Sequence, residues 1–378
     1  MNAPVRELGR IGFSEEQASL LEVATEFCRE KSPMTKVRAL IADELGHDPA
    51  LWREIAELGW LGVAIPEDFG GAGLSLAEAV PILEQMGRRL LSGPFASTTL
   101  AAQAILSGGT EAQKQAWLPK LATGTSGTLA LVEAEGDWAL DNIGCAAVDA
   151  GGGRLKLSGR KYLVCDAASA RVIVASVLHR GAPALVLIET DALPDGALRR
   201  ETVIDETRRA YALDLNGIEI AASALLDPNR ARATLAHLHL AANLLAAAEM
   251  CGGTQAVIDY TLDYARTRKQ FGQLIGAYQG VKHPLVDAYV GYEQARSHLY
   301  AAAHCFGEQG TGEIATRMAK ATADQAFSFA ADRAIQFHGG FGFTYDCDAQ
   351  LYRRRAIWHA SQYGDAGYHK KKLAELLL

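Results

Sequence analysis

The chain has 378 residues, 49% of them hydrophobic, and a net charge of −7 at neutral pH. That length exceeds what one core usually serves, so roughly two or three packed units are expected. The acidic balance excludes nucleic acid as the main partner. The six scattered cysteines (Cys28, Cys145, Cys165, Cys251, Cys305, Cys347) have no CxxC and no metal-ligand spacing, as befits reduced thiols in a cytoplasmic protein.

The N-terminal "MNAPVRELGRIG" has no apolar run of signal-peptide type. From residue 14 to 118 the chain reads as capped amphipathic helices. In "SEEQASLLEVATEFCRE", Ser14 is the expected N-cap, with acids in the first turn. "DPALWREIAELGW" and "SLAEAVPILEQMGRRLL" follow the same logic, and "IPEDFGGAGLS" between them reads as a turn. From about residue 127 the period changes. "TLALVE", "CAAVDA", "GRLKLSGRKYLVC", "ARVIVASVL" and "PALVLIET" are short, β-branched and divided by Gly, Asp and Pro. No segment between them is long enough for a crossover helix, which predicts an antiparallel β unit.

After "DPNR" the pattern is helical to the end. "ATLAHLHLAANLLAAAEMCGG" is apolar almost all round but broken by His237, His239, Asn243 and Glu249, so a central buried helix of a bundle is expected rather than a membrane span. Ala315, Ala319, Ala323, Ala326, Ala330 and Ala334 form one stripe that admits a close neighbour helix. The expected architecture is an N-terminal α-helical domain (1–122), a middle β domain (123–226) and a C-terminal domain like a four-helix bundle (227–378), an α+β multidomain fold.

Two stretches carry chemistry. In "YARTRKQFGQLIGAYQGVKH", cations at the end of a long helix suit its dipole, but Phe271 beside Gly272 and Gln279 beside Gly280 ask for more. Arginine is the side chain best matched to phosphate, and an aromatic with amide donors suits a heterocycle. In "AIQFHGGFGFTYD", Gly339, Gly340 and Gly342 end a helical pattern. One glycine is enough to cap a helix; three interleaved with aromatics suggest that something lies against the backbone.

Together, "TRKQFGQLIGAYQGVKH" and "AIQFHGGFGFTYD" resemble the acyl-CoA dehydrogenase family of flavoproteins, and the helix–β–helix order matches that family's domain order over nearly the whole chain. The resemblance implies FAD, with Arg268 at the pyrophosphate, Gln270 and Phe271 alongside, Gln279 continuing the site, and Gln336, Gly339 and Gly340 as a glycine cradle across a subunit interface. In the β domain, Val132, Glu133 and Ala134 stand where the family has Thr-Glu-Pro, the Gly-Ser-Asp that follows is missing, and Leu163 replaces the flavin-stacking Trp. Backbone contacts from Val132 and Val164 remain available.

The same resemblance implies removal of an α-proton from an acyl-CoA thioester, hydride transfer to the flavin, and an electron-transfer flavoprotein as acceptor. The family's base positions fall on Tyr363 or Gly364 near the C-terminus, where Asp365 is the nearest acid, and on Ala242 in the long helix. Asp365 reads equally as an N-cap. Glu249, on one seam with Ala242, reads first as half of an ion pair with an arginine and second as a base. Asp346 and Asp348 read as caps of the next helix, and the histidines, among them His237, His338 and His359, as structural or surface residues. No metal site is expected. The leading reading is an FAD-dependent acyl-CoA dehydrogenase, homodimeric or tetrameric. Left open are one subunit of a heterotetramer of the kind acting on steroid side-chain thioesters, a flavin oxidase or monooxygenase, and a non-catalytic helical assembly protein.

Overall fold

The structure, a computed structural model, describes residues 14–140, 142–307 and 311–378; the N-terminal "MNAPVRELGRIG" lies outside them. Among the described residues, six α-helices come first: α1 (Glu15–Lys31), α2 (Met34–Ile41), α3 (Pro49–Glu57), α4 (Ala79–Arg88), α5 (Phe95–Gly108) and α6 (Glu111–Ala122). The start signals read from sequence operate. Ser14 accepts from the Gln17 N–H and Gln17 reaches back, a full capping box; Asp48 caps α3 with Pro49 behind it.

Nine strands follow: β1 (Gly127–Ala130), β2 (Ala146–Gly151), β3 (Arg154–Ser158), β4 (Arg160–Cys165), β5 (Val172–His179), β6 (Ala182–Glu189), β7 (Leu198–Arg200), β8 (Ala210–Asp214) and β9 (Glu219–Ala221). β5 is the centre of the larger sheet, and its first six residues are all buried, the continuous apolar run of a strand covered on both faces. β6 pairs antiparallel along its whole length. β1 and β2, however, pair with β5 in parallel, at Val172–Ala175 and Leu178–His179. The sheet is therefore mixed, not antiparallel as the sequence suggested. The absence of crossover helices misled because other strands make the connections: β1 returns to β5 by way of β2, β3 and β4. A second sheet, β4–β8–β7, is wholly antiparallel.

The last part is helical: α7 (Ala231–Thr267), a hairpin β10 (Lys269–Gln270) and β11 (Gln273–Leu274), α8 (Gln279–Cys305), α9 (Thr311–His338), α10 (Ala349–Ala360) and α11 (Ala366–Leu377). Residues 241–254 of α7 are buried without interruption, as its all-round apolar sequence requires. The alanine stripe of α9 is buried from Ala319 to Ala334, and a Cβ built on Gly291 of α8 would lie 3.8 Å from that of Ala326. Asp348 heads α10 without capping it, because Arg38 takes its carboxylate at 2.6 Å. No described helix is long and apolar enough to cross a membrane. The chain forms two compact units, one of residues up to Arg38, Leu76–Leu91 and Asn243–Leu378, the other of Ala39–Ser75 and Ser92–Ala242.

Candidate active site

In the first unit, the two informative sequence stretches meet over one small core. Ala265, Ile275 and Leu285 are buried together, and Leu262, Tyr264, Val281 and Phe337 pack on them. His338, the last residue of α9, stacks between Tyr260 and Tyr264 with ring centroids 4.8 and 4.3 Å away, and its Nδ1 lies 2.8 Å from the Ala334 carbonyl. Burial holds its imidazole below the ordinary histidine pKa, so it packs as a neutral ring.

The β10–β11 hairpin turns on Phe271 (φ +52°) and Gly272 (φ +82°), both left-handed as a two-residue hairpin turn of this type demands. Glycine adopts that conformation freely; an aromatic does so at a cost. The Phe271 side chain is 94% exposed, and its ring meets Tyr278 edge-on. Arg268, Gln270 and Gln279 are exposed around it, Gln279 at the start of α8 where backbone N–H groups are free of helical partners.

The three glycines after α9 separate by cause. Gly339 has φ +62°, the left-handed residue that ends the helix. Gly342 has no room for a side chain: a Cβ would lie 2.4 Å from the Ile335 carbonyl oxygen and 2.9 Å from the Cβ of His338. Gly340 has ordinary helical angles (φ −56°, ψ −33°) and nothing within 4 Å of a Cβ. Neither strain nor crowding within the chain explains it. Its backbone faces open space beside exposed Gln336 and Gly339, which a Cβ would fill. An anionic dinucleotide with a planar ring system fits this set: guanidinium and backbone N–H groups for phosphate, an aromatic and amides for the ring.

Also in this unit, α4 and α7 cross with their backbones in contact. A Cβ on Gly252 would stand 1.8 Å from the Glu84 carbonyl oxygen, and one on Gly87 would stand 2.2 Å from that of Glu249. Two carboxylates are buried at this crossing. Glu84 is locked by Arg296 at 2.6 Å and by the Tyr300 hydroxyl at 2.5 Å. Glu249 is the other. Its Oε2 lies 2.7 Å from Nε2 of His359, on α10, and both side chains are buried. This partner is a histidine, a group that can itself gain or lose a proton near neutral pH. Asp365 is exposed and caps α11, accepting the Tyr368 N–H at 2.7 Å. Nothing in the local sequence signals the Glu249–His359 pairing, since it joins positions far apart in the chain.

In the second unit, Val132 and Val164 are buried, and the Tyr162 N–H donates to the Val132 carbonyl at 2.9 Å. Leu163 has φ +51°, inside a bulge of β4, and its N–H donates to Glu201 at 2.7 Å. Beneath them the buried Lys161 ammonium bonds Glu133 at 2.6 Å and Ser176 at 2.8 Å, and Glu133 also accepts the Gly144 and Cys145 N–H groups. This pair joins the 131–134 bend to β4, a link that sequence reading missed.

Residues 14–125 match the family model "Acyl-CoA dehydrogenase, N-terminal domain", and residues 230–377 match "Acyl-CoA dehydrogenase, C-terminal domain". The chain belongs to the acyl-CoA dehydrogenase family. It is an oxidoreductase of that family's class, FAD-dependent and acting on the CH–CH bond of an acyl-CoA thioester. Acyl-CoA dehydrogenase IpdE2 of Mycolicibacterium smegmatis is 30% identical over 354 residues, 93% of this chain and 96% of that protein. Among solved structures, a point variant of the Tcur3481-Tcur3483 steroid ACAD is 31% identical with a TM-score of 0.85, covering 96% of this chain and 98% of that one. The ChsE4-ChsE5 complex from Mycobacterium tuberculosis shares the fold, with a TM-score of 0.87, 24% identity and coverage of 97% and 98%.

Proposed function

We propose that this acyl-CoA dehydrogenase carries its own base, and that the base is Glu249. The observation that carries the reading is the buried Glu249 carboxylate, 2.7 Å from His359 and fixed at a glycine-lined helix crossing. Asp365, the other acid weighed, is exposed and has its carboxylate engaged in a cap. Glu84 is equally buried, and both its carboxylate oxygens are engaged, one by Arg296 and one by the Tyr300 hydroxyl.

When bound, FAD supplies the acceptor for the substrate's β-hydrogen, and the chain supplies orientation and electrostatics. Arg268 with the open backbone at Gly339 and Gly340 would hold the pyrophosphate, with Gln270, Phe271, Gln279 and Gln336 around the adenosine. Backbone groups at Val132 and Val164 would stand at the flavin edge. Glu249 would take the α-proton, with His359 sharing the charge. Burial raises the basicity of a carboxylate and excludes water from it.

An oligomer follows from the same site. Phe271 in a costly conformation and 94% exposed, with Phe343 87% exposed beyond the glycine turn, leaves two aromatics that a single chain does not cover. A dimer or tetramer, homomeric or with a related subunit, would cover them. Bulky ring-bearing thioesters are the substrate class supported by the likeness to a protein described as a steroid ACAD, and an electron-transfer flavoprotein is the acceptor that suits the family. The setting that fits the free cysteines is the cytoplasm.

The purified chain alone, titrated without oxygen with straight-chain, branched and ring-bearing acyl-CoAs, bleaches its flavin with at least one of them. Glu249→Gln keeps FAD and slows bleaching by about 10²–10⁴-fold, the contribution of a positioned base. A parent chain that reduces its flavin only after a related subunit is added overturns the self-sufficient reading. A Glu249→Gln chain as fast as the parent overturns the base.

A further inference from the structure

Lys320 is a wholly buried lysine that the chemistry above does not use. It rises from α9 beside Ala319 and Ala323, and its Nζ donates to two carbonyls, that of His359 at 3.1 Å and that of Gly364 at 2.8 Å. The first belongs to the last turn of α10 and also receives the Gln362 N–H; the second closes the turn into α11 at a left-handed glycine. The turn has no slack there, because a Cβ on Gly364 would lie 2.4 Å from the Tyr368 ring. From the same helix, one turn on, Asp324 accepts the Ala366 N–H at 2.9 Å. Two residues of α9 thus hold both sides of the segment that carries His359.

An ammonium is a costly choice for this place. Burial pushes the Lys320 group down to about 8, against the pull of Asp324 and Asp365, and a methionine would fill the same volume without that penalty. What the lysine provides and an apolar side chain does not is a pair of donors at fixed points on the turn.

We infer that Lys320 is a positioning residue for proton transfer: by pinning the His359 and Gly364 carbonyls it sets the place of the His359 ring, and through it the aim of the Glu249 carboxylate. The inference rests on Glu249 being the base. Lys320 touches neither substrate nor cofactor in this scheme.

The test uses the FAD-loaded full chain and the acyl-CoA that bleaches the parent's flavin fastest. Lys320→Met is expected to keep FAD and thioester affinity while flavin reduction slows by about 10- to 100-fold, the scale set by a displacement of about 1 Å at the reacting centre. In a Glu249→Gln background the same change adds little, because there is no base left to aim. Parent-level reduction by Lys320→Met overturns the inference, as does an equal loss in the parent and Glu249→Gln backgrounds, or a loss confined to thioester affinity. If circular dichroism shows Lys320→Met unfolded, Lys320→Gln is read instead; its amide falls one bond short of the ammonium and cannot reach both carbonyls, so a parent-level rate overturns the inference equally. A Glu249→Gln chain at parent rate removes the base assignment itself. A slow Glu249→Gln with a fast Lys320→Met removes only the positioning.

Discussion

The three glycines after α9 give a prediction in which stability and cofactor binding move in opposite directions. Gly340 has helical angles and open space in front of it, so Gly340→Ala meets no obstacle in the chain. Replacing glycine by alanine at a compatible backbone position stabilises by about 0.4–1 kcal/mol, through lost freedom of the unfolded chain. Gly339→Ala forces a side chain into a left-handed conformation and costs about 1–2 kcal/mol. Gly342→Ala drives a Cβ to 2.4 Å from the Ile335 carbonyl oxygen, an overpacking that costs about 1–3 kcal/mol. Cofactor binding reverses the order. In the proposed site, a methyl at Gly340 would stand where phosphate approaches the backbone and remove a hydrogen bond to a charged group, about 1.5–3 kcal/mol. That raises the FAD dissociation constant by about tenfold to about a hundredfold. Urea midpoints of the apoprotein, followed by far-ultraviolet circular dichroism, measure the first effect, and quenching of flavin fluorescence on titration measures the second. A Gly340→Ala protein that binds FAD as tightly as the parent refutes the cradle. If it is destabilised as much as Gly342→Ala, the backbone at Gly340 is crowded and the open-space argument fails.

Arg268→Ala is expected to purify with little FAD, since each bond from the guanidinium to phosphate contributes about 1.5–3 kcal/mol, and sizing columns should show whether oligomers persist without the cofactor. Full flavin occupancy in this variant, or in a parent that is strictly monomeric, contradicts the site. Asp365→Asn is expected to reduce flavin at the parent rate, because asparagine caps a helix as well as aspartate does; stopped-flow reduction measures it. Lys161→Met removes the buried cation that faces the Glu133 carboxylate, leaving it two backbone N–H groups, and should lower stability by about 3–5 kcal/mol at pH 7 in urea titrations. Burial pushes the Glu133 carboxyl up, but Lys161 and two backbone N–H groups outweigh it and leave its pKa below the ordinary value. That stabilisation is present above pH 4.5 and lost as pH falls through the lowered pKa, so the gap between parent and Lys161→Met should narrow on acidification; an unchanged gap at low pH contradicts the pairing.

Helix positions, the capping box at Ser14, the buried α7 and the alanine stripe of α9 were legible because each is a local pattern of period or cap chemistry. So was the family: the "RKQFG" and "QFHGGFG" stretches carry residue types suited to a dinucleotide, and their order along the chain is itself sequence information. The parallel pairing of β1 and β2 with β5 was hidden, because strand direction within a sheet depends on how the chain returns, and alternation of side chains is the same for both directions. The candidate base was hidden for a related reason. Sequence placed Glu249 on a buried helix and offered an ion pair with an arginine, since a buried carboxylate requires a partner but does not name its position. The fold supplied His359 from α10 and Lys320 from α9, because packing of separate helices, not any local propensity, decides which buried groups come within hydrogen-bond reach.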